Sequence, residues 1–158
     1  LDTSVSRMGR DDHYDVISAF IKSMRASDVD VALHWLARMF EAGEDPRFIA
    51  RRMMIFASED IGMADNNALL VATAAAQVLE RVGLPEAQLN LAHAVIYLAR
   101  APKSRGVIDA ISRALSDVRE GHTGQAPPTT VQPPSYLPLG LGELRYYREE
   151  HEDPSNHM

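Results

Sequence analysis

Cysteine is absent from this sequence of 158 residues. Its absence excludes disulfide bonds, thiolate metal sites and a cysteine nucleophile, and it suits a reducing compartment such as the cytoplasm. Long apolar runs are lacking too, because the longest, residues 68–76, is far shorter than the roughly 20 residues that span a bilayer. No secretory signal pattern opens the chain, and Leu1 is not an initiator, so we expect a fragment of a longer protein.

Basic residues are too few for a self-sufficient nucleic-acid-binding protein. The chain has 16 Lys and Arg against 22 Asp and Glu, which gives a net charge of −6. Proteins that neutralise phosphates normally show a basic surplus. A local basic patch is still compatible with these numbers.

Catalytic motifs are missing as well. The phosphate-binding pattern GxxxxGKS/T, the zinc-protease pattern HExxH, the nucleophile pattern GxSxG and the dinucleotide glycine fingerprint do not occur. None of the 6 histidines has a second histidine three or four residues away, so no helical metal-binding pair exists. We therefore predict no catalytic, cofactor-binding or metal-binding residue in this chain.

Apolar residues recur at helical spacing up to about residue 120, and no alternating strand pattern is present there. Asp45 followed by Pro46 marks a helix start, and Gly43 and Gly83 mark helix ends. The fold class predicted is all-α, a compact bundle of about six helices. We expect them near residues 14–26, 28–42, 46–61, 66–82, 85–100 and 104–120.

The composition changes after Gly121, where a stretch rich in Pro, Gly and Thr precedes a polar, acidic end. The predicted helical domain is therefore residues 13–120, and residues 121–158 are a tail. One interpretation is a mobile or loosely docked tail. The other is an extended arm that packs on the same or a neighbouring subunit through Tyr136, Leu137, Tyr146 and Tyr147.

The fourth and fifth helices lack the polar stripe of a surface helix. No charged residue occurs between residues 68 and 76 or between residues 87 and 98. Such helices must be covered on most sides, either as central helices of the bundle or by another subunit. We favour the second interpretation for one of them, because obligate oligomer interfaces are large and apolar. The predicted interface residues are Leu69, Leu70, Val71, Leu89, Leu91, Val95 and Ile96.

The stretch FASEDIGMAD, residues 56–65, places Glu59 and Asp60 in the last turn of the third helix and Asp65 before the fourth. Acids at a helix C-terminus oppose the helix dipole, so cationic partners are expected. We favour a structural ion pair with Arg38, Arg100, Lys103 or Arg105. A contact to another domain and a metal or acid–base site are the alternatives.

Several basic residues allow a second function. Arg47 and Arg51 share one face of the third helix, and Arg52 lies next to them. The interpretations are a solvated face with some ion pairs, or contact with phosphates or an acidic domain. In the second case the chain would be a module that contacts DNA or a single-stranded-DNA-binding protein, through Arg47, Arg51, Arg52, Lys103 and Arg105.

Long motifs give a more specific indication. HYD, ISAFIKS, WLARM, EAGEDPRFIARR, ASEDIG, VGLPE and YLARAPKS follow one another between residues 13 and 104. Over roughly residues 12–120 the chain resembles the region after the ATPase core in the replication-associated recombination protein A family. These RarA/MgsA proteins are AAA+ ATPases related to the eukaryotic Werner-helicase-interacting ATPase. The tail after Gly121 departs from the family's usual ending, so no role is transferred to it.

The resemblance implies a fold like the collar of clamp loaders and a domain that assembles homotetramers. It implies that residues 1–12 link to an ATPase and lid domain outside this chain, where ATP and Mg would bind, and that this fragment is not itself an enzyme. It also implies that the parent protein acts at stalled replication forks, in recombination and DNA repair, with DNA ends and single-stranded-DNA-binding protein as partners. The expected location is the cytoplasm, at the nucleoid.

Overall fold

The computed structural model describes residues 10–129 and 135–149 of the chain. Within these residues the protein is helical, and its only extended pairing is an isolated bridge between Gln125 and Leu139. The helices are α1 (Arg10–Arg25), α2 (Val29–Glu41), α3 (Pro46–Phe56), α4 (Asn67–Val82), α5 (Ala87–Arg100) and α6 (Gly106–Arg119). The predicted all-α fold with six helices is confirmed. Helix α1 begins at Arg10, inside the stretch that the sequence analysis assigned to a linker.

The junction between α2 and α3 shows how local sequence sets the helix ends. Gly43 adopts a φ of 75°, and the backbone N–H of Glu44 donates to the Met39 carbonyl at 3.0 Å, which closes the end of α2. The Asp45 carboxylate then accepts the Arg47 backbone N–H at 2.9 Å, with Pro46 at the first helical position. The chain therefore turns sharply at the predicted place.

Helix α3 does not continue to residue 61 as a regular α-helix. Residues Ala57–Ile61 form a π-helical turn, and Gly62–Ala64 form a short 3₁₀ turn. A π turn accommodates an extra residue and rotates the side chains that follow it, which brings Asp60 and Ile61 inward together. Gly62 has a φ of 52°, in the left-handed region that favours glycine, and it ends the turn.

The described residues divide into two compact units, one that ends at Arg105 and one that begins at Gly106. In the first unit α5 is the central helix and packs against α1, α2 and α4. Its inward side consists of small and aliphatic residues. These buried residues are Ala87, Leu91, Ala94, Val95, Leu98 and Ala99. The core is completed by large apolar side chains of α1 to α3, among them Phe20, Met24, Met39, Ile49, Met53 and Phe56.

The second unit consists of α6 and the described residues that follow it, whereas the predicted helical domain, residues 13–120, included α6. Arg113 Nη1 donates to the Tyr146 carbonyl at 2.8 Å, and the Tyr146 hydroxyl donates to Asp117 Oδ2 at 2.8 Å. Tyr146 therefore packs on its own chain, as one interpretation of the tail proposed. Tyr136 and Tyr147 are exposed.

No helix in the described part of the chain combines the length and the apolar character that crossing a lipid bilayer requires. This agrees with the short apolar runs of the sequence.

We predict that Met53→Ala lowers the free energy of unfolding by about 2–5 kcal/mol, because it removes a core side chain and leaves a cavity. Met53 is only 1% exposed. Urea denaturation followed by circular dichroism measures the effect.

Ile55→Ala is the matched control, two residues along the same helix. Ile55 is 48% exposed, so the expected change is within about 0.5 kcal/mol. Equal losses in the two variants would contradict the assignment of the α3 inner face.

Candidate functional site

Helix α4 buries mainly alanines and exposes two of its leucines. Its inward stripe is Ala68, Ala72, Ala75 and Leu79, which lets α4 approach α3 and α5 closely. Leu69 and Leu70 lie on the opposite side and are 44% and 65% exposed. The pattern is the reverse of an ordinary surface helix, whose large aliphatic residues face the core. The outer side of α4 thus offers apolar area that the described residues of the first unit leave uncovered.

Helix α5 carries a second exposed apolar stripe. Leu89 is 78% exposed, Ile96 is 36% exposed, and the exposed His93 lies between them at helical spacing. A connection of only four residues joins α4 to α5, so the two helices run antiparallel, side by side. We call Leu69, Leu70, Leu89, His93 and Ile96 the α4–α5 surface.

Two predicted interface residues belong instead to the core. Leu91 and Val95 are both 0% exposed and cannot reach another subunit. The sequence does not separate them from surface residues, because α5 has no charged face and its period alone does not say which face is inward. Val71 is half-buried and packs against the core. His93, one of the histidines weighed as a core or interface residue, is exposed.

An apolar groove adjoins this surface where α5 begins. It has a volume of about 390 Å³ and lies between α2 and α5. Its lining includes Ala37, Phe40, Pro85, Gln88, Leu89 and Ala92. The groove extends the uncovered apolar area from Leu89 toward α2.

Asp60 is the one strongly buried carboxylate among the described residues, at 1% exposed. Its Oδ1 accepts from Arg25 Nε and from Arg105 Nη1, each at 2.9 Å. Its backbone carbonyl accepts the Ser104 N–H at 2.8 Å. One residue of the π turn thereby ties the end of α1 to the last residues of the first unit.

The predicted interpretation of FASEDIGMAD as a structural ion pair agrees with this geometry. Arg105 was among the expected partners, and its Nη1 also lies 3.6 Å from Glu59 Oε1. Arg25 was not foreseen, since it is 35 residues away in sequence and only the packing of α1 brings it there. The pairing offsets the cost of burying a carboxylate.

Asp65 does not join Glu59 and Asp60 in one cluster. Its Oδ1 accepts the Asn67 backbone N–H at 3.0 Å at the start of α4, and its Oδ2 accepts the Tyr97 hydroxyl at 2.6 Å. That hydrogen bond raises the pKa of Tyr97 above its usual value. The alternative of a metal or acid–base site at these three carboxylates is therefore not supported, because Glu59 and Asp60 share Arg105 while Asp65 binds Tyr97 and the start of α4.

The basic residues of the second hypothesis lie in two separate environments. Arg47 Nε pairs with Glu80 Oε1 at 2.8 Å on the surface of α3 and α4. Lys103 Nζ donates to Ser27 Oγ at 3.1 Å and to the Ala99 carbonyl at 3.0 Å. Burial lowers the pKa of Lys103, and the nearby Asp60 carboxylate partly opposes that shift.

Only Arg51 and Arg52 of that set have no ion pair or side-chain hydrogen bond to the residues that the structure describes. Arg51 is exposed and Arg52 is half-buried. The structure thus does not gather the five cations into one phosphate-binding patch.

We predict that Asp60→Asn destabilises the chain by about 1–3 kcal/mol, because Arg25 and Arg105 lose their shared anionic partner. Thermal or urea unfolding measures the loss. Glu59→Gln is the control: Glu59 is more exposed and more distant, so its loss should stay below about 1 kcal/mol. An Asp60→Asn variant with the same free energy of unfolding as the wild type would show that the ion-pair cluster contributes nothing to stability.

A family model and the sequences of known proteins both match this chain, and they indicate the same family. The family described as MgsA AAA+ ATPase C terminal matches residues 26–158. The match includes the tail, so the expectation that the chain departs from the family after Gly121 is wrong.

Curated relatives agree with the family match. Replication-associated recombination protein A of Bacillus subtilis is 53% identical over 117 residues, 74% of this chain and 28% of the relative. The protein of the same name in Escherichia coli K12 is 43% identical over 143 residues, which are 90% of this chain and 32% of the relative. An AAA domain-containing protein of Mycobacterium tuberculosis is 54% identical over 156 residues, which are 98% of this chain and 34% of the relative. The chain spans about a third of the length of these relatives, and it belongs to the MgsA AAA+ ATPase C-terminal family.

Proposed function

We propose that this chain is the self-association domain of its parent AAA+ ATPase and assembles homotetramers. The observation that carries the proposal is the α4–α5 surface, where Leu70 and Leu89 are 65% and 78% exposed. Fully burying one leucine or isoleucine side chain stabilises a contact by roughly 1.5–3 kcal/mol. Several such residues on adjacent helices favour a shared apolar interface.

The packing of α4 supports an oligomeric role over a solitary bundle. Alanines fill the space toward α3 and α5, so the leucines at positions 69 and 70 have no place in the core. A monomer would leave them in water. Obligate homo-oligomers cover such surfaces with interfaces that resemble a domain core cut in half.

The wider role follows from the relatives' names and is likewise a proposal. Two of them are named for recombination associated with replication. The parent protein would therefore act at replication forks in the cytoplasm and nucleoid, with DNA ends and single-stranded-DNA-binding protein as partners. ATP and Mg would bind in the ATPase domain of the parent protein. The helical chain described here would hold the copies together without catalysing a reaction itself.

We predict that the isolated chain has the mass of a tetramer by light scattering coupled to size-exclusion chromatography. Leu89→Glu and Ile96→Glu should each lower the mass, because a buried glutamate carboxylate at the contact has no cationic partner. Circular dichroism should show unchanged helix content, since Leu89 and Ile96 lie outside the core.

Val31→Glu is the matched control for these variants. Val31 is an aliphatic residue on α2 with 42% exposure, outside the α4–α5 surface. It should keep the wild-type mass. A wild-type chain that stays monomeric at high concentration would overturn the proposal.

Contact with DNA or with single-stranded-DNA-binding protein is the second candidate, and Arg51 and Arg52 are the residues that favour it. Because the chain carries a net charge of −6 and the other three cations have internal partners, we expect no DNA binding by the isolated chain at physiological salt. Fluorescence anisotropy with a labelled single strand tests this. Salt-dependent binding that Arg51→Ala weakens would favour the second candidate instead.

A further inference from the structure

The C-terminal end of α6 gathers three side chains of the kinds that bind metal ions. Asp117 lies in the last turn of the helix, Glu120 follows the last helical residue, and His122 comes two residues later. One ligand atom from each side chain lies within 4.8 Å of the ligand atoms of the other two. Among the described residues, no other three His, Asp or Glu side chains come this close together. We call Asp117, Glu120 and His122 the α6 trio.

The backbone turn after α6 places the imidazole beside the helix. Gly121 has a φ of 93°, in the left-handed region that favours glycine. Its N–H donates to the Val118 carbonyl at 3.1 Å, and the His122 N–H donates to the Asp117 carbonyl at 3.0 Å. This pair of hydrogen bonds is the Schellman motif, which reverses the chain at a helix C-terminus. The backbone therefore holds His122 against the last turn of α6, where Asp117 lies.

The spacing within the α6 trio suits two ligands of one ion better than a hydrogen bond. His122 Nδ1 and Asp117 Oδ1 are 3.7 Å apart, which is too long for a hydrogen bond. Zinc binds imidazole nitrogen and carboxylate oxygen at about 2.0–2.2 Å, so two ligands of a tetrahedral site lie about 3.4 Å apart. Small side-chain rotations would bring both atoms onto one ion.

A hydrogen bond from outside the trio orients the Asp117 carboxylate. The Tyr146 hydroxyl donates to Asp117 Oδ2 at 2.8 Å, while Oδ1 is the oxygen near His122. Metal ligands in proteins are commonly held by an outer hydrogen-bond partner that fixes their orientation. Tyr146 lies 29 residues further along the chain, so this orientation does not depend on Glu120 or His122.

The charge at this end of α6 favours a cation. A helix C-terminus carries partial negative charge, and the carboxylates of Asp117 and Glu120 add to it. Arg119 is the single basic residue of the last turn. Within the described part of the chain, the Glu120 carboxylate has no ion pair or hydrogen bond. A bound cation would offset this concentration of negative charge.

We propose that the α6 trio binds one zinc ion, with Asp117, Glu120 and His122 as its three protein ligands. An imidazole beside two carboxylates favours zinc over magnesium and calcium, which prefer oxygen ligands alone. Glu120 and His122 are exposed, so water completes the coordination. The ion would fix the beginning of the tail against the end of α6. The prediction of no metal-binding residue rested on the lack of paired histidines, whereas this trio combines one histidine with two carboxylates.

Isothermal titration of zinc chloride into the full chain, free of any histidine tag, tests the site. The wild type should bind one zinc ion per chain. His122→Ala should weaken binding by more than about 10-fold, since losing an outer hydrogen-bond partner of a metal ligand already costs about 10–100-fold. His34→Ala is the matched control and should keep the wild-type affinity. His34 is also exposed, with Asp30 one turn away, but it belongs to no such trio.

Asp117→Asn and Glu120→Gln give an independent measurement. Each should weaken zinc binding, while circular dichroism shows unchanged helix content. A wild-type chain that binds no zinc would overturn the site, and so would wild-type affinity in His122→Ala, which would place the zinc on another histidine. The site lies within one chain, so none of these outcomes bears on the proposed self-association.

Discussion

The burial of one side of α5 against α1, α2 and α4 is the constraint on which the rest of the first unit depends. That side consists of residues such as Leu91 and Val95, which are fully enclosed. Because α4 approaches mainly through alanines, the core is complete without Leu69 and Leu70. The outer sides of both helices are therefore apolar but unnecessary to the fold. A surface that the fold does not need is available for association between copies.

Asp60 adds a polar constraint to this apolar core. Hydrophobic contacts are non-directional, whereas a buried carboxylate requires cations at defined positions. Arg25 and Arg105 meet that requirement from opposite ends of the first unit. The π turn that carries Asp60 is thus tied to α1 and to the residues just before α6. The acids of FASEDIGMAD contribute to architecture here.

The described residues of the first unit leave one apolar surface open. It is the outer side of α4 and α5, where Leu70 and Leu89 are 65% and 78% exposed. In the second unit, Tyr146 contacts Arg113 and Asp117 of α6. The α4–α5 surface therefore suits the self-association proposed for this chain.

The sequence by itself determined the six helices, because apolar spacing, Asp45-Pro46 and the helix-ending glycines are local signals. It also pointed to α4 and α5 as helices with apolar surface on every side. Only the tertiary structure decided which side is inward, moving Leu91 and Val95 into the core and leaving Leu89 outside. It alone paired Asp60 with Arg25, since that contact joins elements 35 residues apart. Periodicity reports a helix, but the face that a helix buries depends on its neighbours.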